Sequence, residues 1–492
     1  MLVQLLKFPA LPEIALLIMI CVVLLLDLFV KQKRALLSYV MAQLSLVVTL
    51  CFVFCLHLVP AQVIFRQQFV WDSVAYCIKL TVLILGIFIF IYARDAMGKK
   101  PPKPVYSSEF YVLGLFSILG MLIVTSANSL LSLYLGLELL SFPLYALVAT
   151  ERWQANSAEA AMKYFILGAL ASGLLLYGFS LVYGTTHSLV ISAISQTLSH
   201  AGGQFSIILS IGLIFIIGGI AFKLGAVPFQ SWVPDVYQGA TTPITLFIGS
   251  APKVAGLALA IRLLIDALPS LHQQWQPLLA IIAIASFCLG NLVAIIQTNL
   301  KRMLAYSAIA HIGYILLGIV AGTPLGYAMS LFYVSSYALM AMGAFGLIIL
   351  VSQANYEIEQ IDDLRGLNAR HPWLALLMLV IMFSMAGIPP TVGFFAKMGI
   401  LQALISVDQV WLATLAIIFA IIGSYYYIYV VKVMYFEEPT PTIQALQPVQ
   451  VSRVAYLALS INAILLLVFG LFPNWIMWLA KSAFSVINYP IY

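Results

Sequence analysis

Six residues of this sequence combine proton-active side chains with an apolar setting: Glu138, Lys163, Lys223, Lys253, His311 and Lys397. Glu138 lies in Leu135-Gly136-Leu137-Glu138-Leu139-Leu140, with nothing nearby in sequence to pair with it. Lys163 sits in Ala161-Met162-Lys163-Tyr164, Lys223 in Ala221-Phe222-Lys223-Leu224-Gly225, and Lys253 directly after Pro252. Lys397 follows Pro390 by seven residues, and His311 lies in Ala310-His311-Ile312-Gly313. A charge near a bilayer centre costs at least about 2.5–3.5 kcal/mol, and such positions usually mark ion or proton routes. Burial disfavours an ammonium ion, and a carboxylate within about 4–6 Å restores it. A Glu–Lys pair that opens and closes therefore loads and releases a proton. Glu138, Lys223, Lys253 and Lys397 also stand close to helix breakers, at Pro143, Pro228, Pro252 and Pro390. A proline leaves a carbonyl without its helical donor, and water can fill that gap.

A fixed intramembrane pair or a snorkelling end accounts for any one such residue. Five charges in one chain, four of them beside breaks, point to a pathway. Lys163 is the weakest of them on position, being able to reach the membrane interface. His311 fits a proton relay or a hydrogen-bonded core residue. Lys79, near a span end, is expected to snorkel. Glu159, in the first turn of its span, suits the helix dipole. The run Tyr425-Tyr426-Tyr427 with Tyr429 reads as an interfacial or packing feature.

The elements that must position these residues are membrane helices. Of 492 residues, 63% are hydrophobic and 8% charged. A soluble chain carries about 25% charged residues. That excludes a soluble enzyme, a disordered chain and a nucleic-acid binder. Stretches of about 20 apolar residues cross a bilayer, and fourteen are expected: 14–30, 36–57, 74–93, 109–126, 128–149, 160–183, 206–229, 243–265, 277–297, 303–321, 326–351, 372–405, 410–431 and 454–476. The twelfth contains Gly387, Pro389, Pro390 and Gly393 and is expected to be two half-helices; the seventh is interrupted near its end by Pro228. Broken backbone at membrane depth survives only against protein or a watery cavity.

Cations in the loops give the orientation. The loops on one side hold fourteen, among them Lys31, Lys33, Arg34, Arg94, Lys100, Lys103, Arg152, Lys301 and Arg302; the other side holds Lys7, Arg66, Arg262 and Lys481. The positive-inside rule then places both termini outside the cytoplasm. The five cysteines form no C-x-x-C pair, so a metal or redox motif is not expected. The N-terminal run ends on Lys31 without a small-residue cleavage site, reading as a retained helix. No Walker loop or G-x-G-x-x-G is present.

Four segments together resemble a known family. They are Leu135-Gly136-Leu137-Glu138, the stretch from Ala221 through Pro228-Phe229-Gln230-Ser231-Trp232-Val233-Pro234 to Ala240, Gln297-Thr298-Asn299-Leu300-Lys301-Arg302-Met303, and Gly387-Ile388-Pro389-Pro390-Thr391-Val392-Gly393-Phe394-Phe395-Ala396-Lys397. They resemble the antiporter-like membrane subunits of respiratory complex I, the proton-translocating NADH:quinone oxidoreductase. Lys397, where M-type subunits have Glu, and a length without the lateral helix of the L type set the chain nearest the N type. The resemblance implies an all-α polytopic membrane protein with two inverted five-helix repeats, each with a broken helix. Its divisions would be 1–108 (helices 1–3), 109–266 (first repeat, helices 4–8), 267–436 (second repeat, helices 9–13) and 437–492 (helix 14). Glu138 and Lys223 would be the coupled pair of the first half-channel, Lys163 would tune them, and Lys253 would lead to Lys397 in the second. Gln230 stands where relatives often have His, and Gln cannot carry a proton. The resemblance further implies a bacterial inner-membrane location and partners among membrane-arm subunits, especially subunit M and the small connecting subunits. NADH, FMN, iron–sulfur clusters and quinone would be held by other subunits, none by this chain. A subunit of a multi-subunit Na⁺/H⁺ antiporter, the equivalent subunit of a photosynthetic-type complex, a non-conducting scaffold and a stand-alone transporter are the competing readings.

Overall fold

The computed structural model describes residues 7–29, 34–99, 104–151, 153–200, 206–352, 357–440 and 452–484. The loop cations Lys31, Lys33, Lys100, Lys103 and Arg152 lie outside them. Among the described residues 13 helices are long and apolar enough to cross a membrane, and Pro372–Ala386 and Val392–Ile405 form a shorter apolar pair. That pair is the expected twelfth span, broken in two, so the fourteen expected spans are present.

In chain order the helices are α1 (Leu11–Phe29), α2 (Arg34–Cys55), α3 (Ser73–Lys99), α4 (Pro104–Thr125), α5 (Leu130–Val148), α6 (Ala155–Thr186), α7 (Ile191–His200), α8 (Ile207–Leu224), α9 (Trp232–Gly239) and α10 (Thr242–Gly249). There follow α11 (Ala251–Ala260), α12 (His272–Ile295), α13 (Leu300–Val320), α14 (Pro324–Val351), α15 (Pro372–Ala386), α16 (Val392–Ile405), α17 (Val410–Phe436), α18 (Arg453–Leu471) and α19 (Asn474–Ala483). A small antiparallel hairpin, β1 (Gln62–Ile64) and β2 (Phe69–Trp71), precedes α3. The expected eighth span is itself interrupted. Ser250, with φ −115° and ψ −92°, separates α10 from α11, and a π-helical turn, Ile261–Ala267, ends it.

The chain divides into two units. The first comprises Met1–Phe90, Lys103–Leu224 and Ala251–Leu279. Without a hydrophobic drive between helices in lipid, small residues let backbones approach and pack. Gly136 of α5 meets Val124 of α4, where an added Cβ would stand 2.9 Å from the Val124 nitrogen. Gly178 of α6 lies against Gly212 of α8, and Gly219 of α8 against Leu175 of α6. Gly136 is two residues from Glu138 and Gly219 one turn from Lys223. The same contacts that pack the helices therefore fix the two charged residues.

The second unit comprises Ile91–Pro102, Gly225–Ser250 and Ala280–Tyr492. The two units share a local device. In the first, the Leu130 and Ile191 nitrogens donate to the Leu189 and Asn128 carbonyls; in the second, the Leu300 and Ile361 nitrogens donate to the Glu359 and Thr298 carbonyls, with the same sequence separations. The helix that follows is capped by Ser129 in one and Asn299 in the other.

Three cations near span ends are buried in ion pairs. Lys79 is fully buried, its Nζ 2.5 Å from Glu13 and over the Phe69 and Trp71 rings; it does not snorkel. Arg262 donates through Nη1 to Asp72 (2.7 Å) and Asp266 (2.8 Å), and through Nε and Nη2 to the Thr125 carbonyl that ends α4. Lys301 lies 3.3 Å from Glu357. Partners from distant segments make these sites affordable in a low dielectric. Burial pushes the Asp72 carboxyl up, but the Arg262 guanidinium outweighs it and holds the group below the ordinary carboxylate range.

Candidate functional site: lysines at the helix breaks

In the first unit, α8 stops at Leu224, four residues before Pro228, because Gly225 turns the chain with φ +78°. A helix end leaves carbonyls without donors, and its dipole favours a cation there. Lys253, from α11, donates to the Leu224 carbonyl at 2.6 Å. Lys223, in the last turn of α8, donates to Ser141 Oγ at 2.5 Å, and Ser141 Oγ donates to the Leu137 carbonyl at 2.5 Å. Ser141 is one turn beyond Glu138 on α5. Among the described residues no ion pair joins Glu138 to Lys223, and Glu138 Oε1 is buried without a hydrogen-bond partner. Ser141, one turn beyond Glu138, holds the lysine instead. A small cavity of about 10 Å³ adjoins Lys223, lined in part by Ser141, Tyr145, Ser172 and Phe222, a volume close to the minimum for one water.

In the second unit, α15 ends at Gly387 with φ +83°. Lys397, from α16, donates to the carbonyls of Ala386 (2.8 Å) and Met385 (3.2 Å). Its Nζ lies 5.6 Å from the centre of the Tyr314 ring, which stacks on Tyr333. A side chain at Gly387 would meet Lys397, with Cδ 2.9 Å and Nζ 3.2 Å from an added Cβ. His311 is buried between two hydroxyls, Nδ1 to Tyr333 OH (2.9 Å) and Nε2 to Tyr427 OH (3.0 Å). Tyr427 OH reaches Ser307 Oγ at 2.5 Å. A neutral imidazole donates from one nitrogen and accepts at the other. A proton accepted on one side and released on the other swaps the tautomer, so the row Ser307–Tyr427–His311–Tyr333 can pass a proton.

These placements share a property. Lys223 and Lys397 donate to a hydroxyl and to carbonyls, and among the described residues neither is in an ion pair. Both –NH₃⁺ and –NH₂ can donate to such acceptors, so either protonation state fits the site. Lys79, Arg262 and Lys301 instead face carboxylates.

The structure brings Lys223, Lys253 and Glu138 to one locality in the first unit, and Lys397 and His311 to one in the second. Lys163 is different. Its side chain is 42% exposed and pairs with Glu159 at 2.8 Å. Glu159 thus acts as an ion-pair partner rather than only at the helix dipole. Gln230 has a buried Oε1 with no hydrogen-bond partner among the described residues. The tyrosine run divides: Tyr425 is exposed and stacks on Tyr429, while Tyr426 binds Asn291 and Tyr427 joins the histidine row. The sequence reading missed Ser141, Ser307, Tyr333 and Tyr427. A signal existed for two of them, since Ser141 follows Glu138 by three residues and Ser307 precedes His311 by four, so each pair shares a helix face. Among the described residues no group of three His, Cys, Asp or Glu side chains could hold a metal ion.

Buried, break-associated lysines on a multi-pass helical chain define a membrane subunit of the antiporter-like class. The family model described as NADH:quinone oxidoreductase/Mrp antiporter, TM, matches residues 127–423. A relative from Thioalkalivibrio sulfidiphilus, NADH-quinone oxidoreductase subunit N, is 50% identical over 97% of this chain and 98% of its own length. The subunit N of Coxiella burnetii is 48% identical over 97% and 98%. A chain of respiratory complex I from Thermus thermophilus superposes with a TM-score of 0.81 at 30% identity, covering 96% of this chain and 99% of that one. The chain belongs to the NADH-quinone oxidoreductase subunit N family.

Proposed function

We propose that this chain is a proton-translocating membrane-arm subunit of a type I NADH:quinone oxidoreductase. It is a translocase part that holds no redox group, while NADH, FMN, iron–sulfur clusters and quinone belong to other subunits. The observation that carries the reading is the seating of Lys223 and Lys397 on neutral acceptors at helix breaks, where a charge is not pinned. Full-length relatives named as quinone oxidoreductase subunits favour it over a multi-subunit Na⁺/H⁺ antiporter or a photosynthetic-type complex.

In the proposed cycle Glu138 closes on Lys223 and stabilises its proton. On opening, Ser141 takes the lysine, and the proton is released towards Lys253. Lys397 and His311 form the second stage. Lys163, paired with Glu159, tunes the first. Moving one charge against 100 mV needs about 2.3 kcal/mol, so the opening must change the pair energy by at least that scale. The chain would sit in the bacterial inner membrane with both termini on the periplasmic side, against subunit M and the small connecting subunits. Purification of the tagged chain from its native membrane tests this: iron–sulfur and flavin subunits should co-purify in fixed ratio. Recovery with antiporter subunits alone would refute it.

A further inference from the structure

The second unit contains two buried polar side chains that the proposed pathway does not use. Tyr92 of α3 and Asn462 of α18 are both 0% exposed. Among the described residues the Tyr92 hydroxyl and both amide atoms of Asn462 have no hydrogen-bond partner. Both side chains press on one groove of α14. A Cβ at Gly343 would stand 2.7 Å from Asn462 Oδ1, and one at Gly346, a turn further on, 2.9 Å from Tyr92 Cζ. Buried polar groups left dry cost about 1–3 kcal/mol each, and native proteins meet that need with ordered water.

Each end of this groove leads somewhere. Asp95 lies one turn beyond Tyr92 on α3 and accepts a hydrogen bond from the nitrogen of Ser452, the cap of α18 (3.3 Å). That end is the membrane face where α3 finishes and α18 begins. At the other end, Ile381 of α15 shares the Gly343 contact, its Cδ1 2.9 Å from the same Cβ position. One turn after Ile381 comes Met385, whose carbonyl, with that of Ala386, holds Lys397.

We propose that Tyr92 and Asn462 line a water-binding site that joins the membrane face at Asp95 to Lys397, forming a second proton-uptake route within this unit. The proposal rests on the proton-translocating reading and adds a route to it. Asn462→Leu is nearly isosteric and removes the amide. If the site is wet, Asn462→Leu assembles normally, yet NADH-driven proton uptake in vesicles holding the intact complex falls roughly tenfold, the factor that a lost hydrogen bond of about 1.4 kcal/mol carries. Tyr92→Phe shows a smaller loss of the same kind. If the site is dry, Asn462→Leu pumps at the wild-type rate and resists heat better, and the proposal is overturned. Should Asn462→Leu fail to assemble, cryo-EM of the wild-type complex decides: density for water between Asn462 and Tyr92 supports the route, and a dry groove overturns it. Lys223→Ala is the companion variant. Lost pumping there with normal pumping in Asn462→Leu sinks this route alone; normal pumping in Lys223→Ala sinks the underlying reading.

Discussion

Replacing Ser141 by Ala isolates the step at which the lysine lets go of its carboxylate. In the structure Lys223 Nζ is 2.5 Å from Ser141 Oγ, the acceptor that holds it among the described residues. The hydroxyl also bonds to the Leu137 carbonyl, so its position is fixed in advance. A hydrogen bond to a charged group contributes about 1.5–3 kcal/mol, which corresponds to roughly a 10- to 150-fold change in an equilibrium. Ser141→Ala removes that support from the open arrangement and leaves the closed Glu138–Lys223 pair untouched. The closed pair is therefore favoured by the same factor, and the proton is released less often. NADH-driven acidification by reconstituted complex, followed with a pH-sensitive dye, should slow at least about tenfold. Ser141→Thr keeps the hydroxyl and should retain most of the rate. The alanine variant should still assemble, because the change is small and leaves the helix backbone intact, as a native gel checks. An unchanged rate in Ser141→Ala, or an equal loss in Ser141→Thr, would refute the role assigned to this hydroxyl.

Other expectations concern fixed charges and the breaks themselves. Arg262→Met leaves Asp72 and Asp266 without their guanidinium and should destabilise the protein by about 3–5 kcal/mol, read as lowered heat resistance of the purified complex; a loss below 1 kcal/mol by this logic contradicts the buried network. Because Asp72 is held below its ordinary range, its stabilisation is complete above the unfolded-state value and is lost as pH falls through the folded-state value. The gap between wild type and Arg262→Met should accordingly narrow in acid; a gap that widens reverses the sign. Gly387→Ala forces a side chain into the left-handed region, at about 1–3 kcal/mol of strain, and pushes on Lys397; pumping should fall more than assembly, as measured by native gel against dye signal. Gln230→Ala should pump normally, since the amide carries no proton; loss of pumping in an intact complex makes Gln230 essential.

Much of this site was legible because charge is scarce in the chain. Glu138, Lys223, Lys253 and Lys397 stand out against apolar neighbours, and the adjacent Gly and Pro residues marked the breaks near 225 and 387. The break at Ser250 lies between Gly249 and Pro252, yet the expected eighth span, 243–265, ran through it unbroken. Which charges are fixed was hidden, since Glu13 and Lys79, or Asp72 and Arg262, are far apart in sequence and meet only through packing. Local pattern therefore marked Lys79 for snorkelling and Arg262 as a loop cation, and named neither ion pair. The histidine row was half visible: His311 was picked out, whereas Tyr427 is indistinguishable in sequence from its outward neighbour Tyr425. Only the helix phase, with Tyr427 turned inward onto Ser307, separates them.

In the proposed mechanism Glu138 and Lys223 carry a proton through this subunit. The most direct test is the number of protons moved per NADH oxidised in vesicles containing intact complex with Glu138→Gln. A carboxamide keeps the shape but cannot stabilise the lysine's proton. Glu138→Gln should move fewer protons per NADH, or turn over more slowly, in a fully assembled enzyme. A wild-type ratio at a wild-type rate would contradict it.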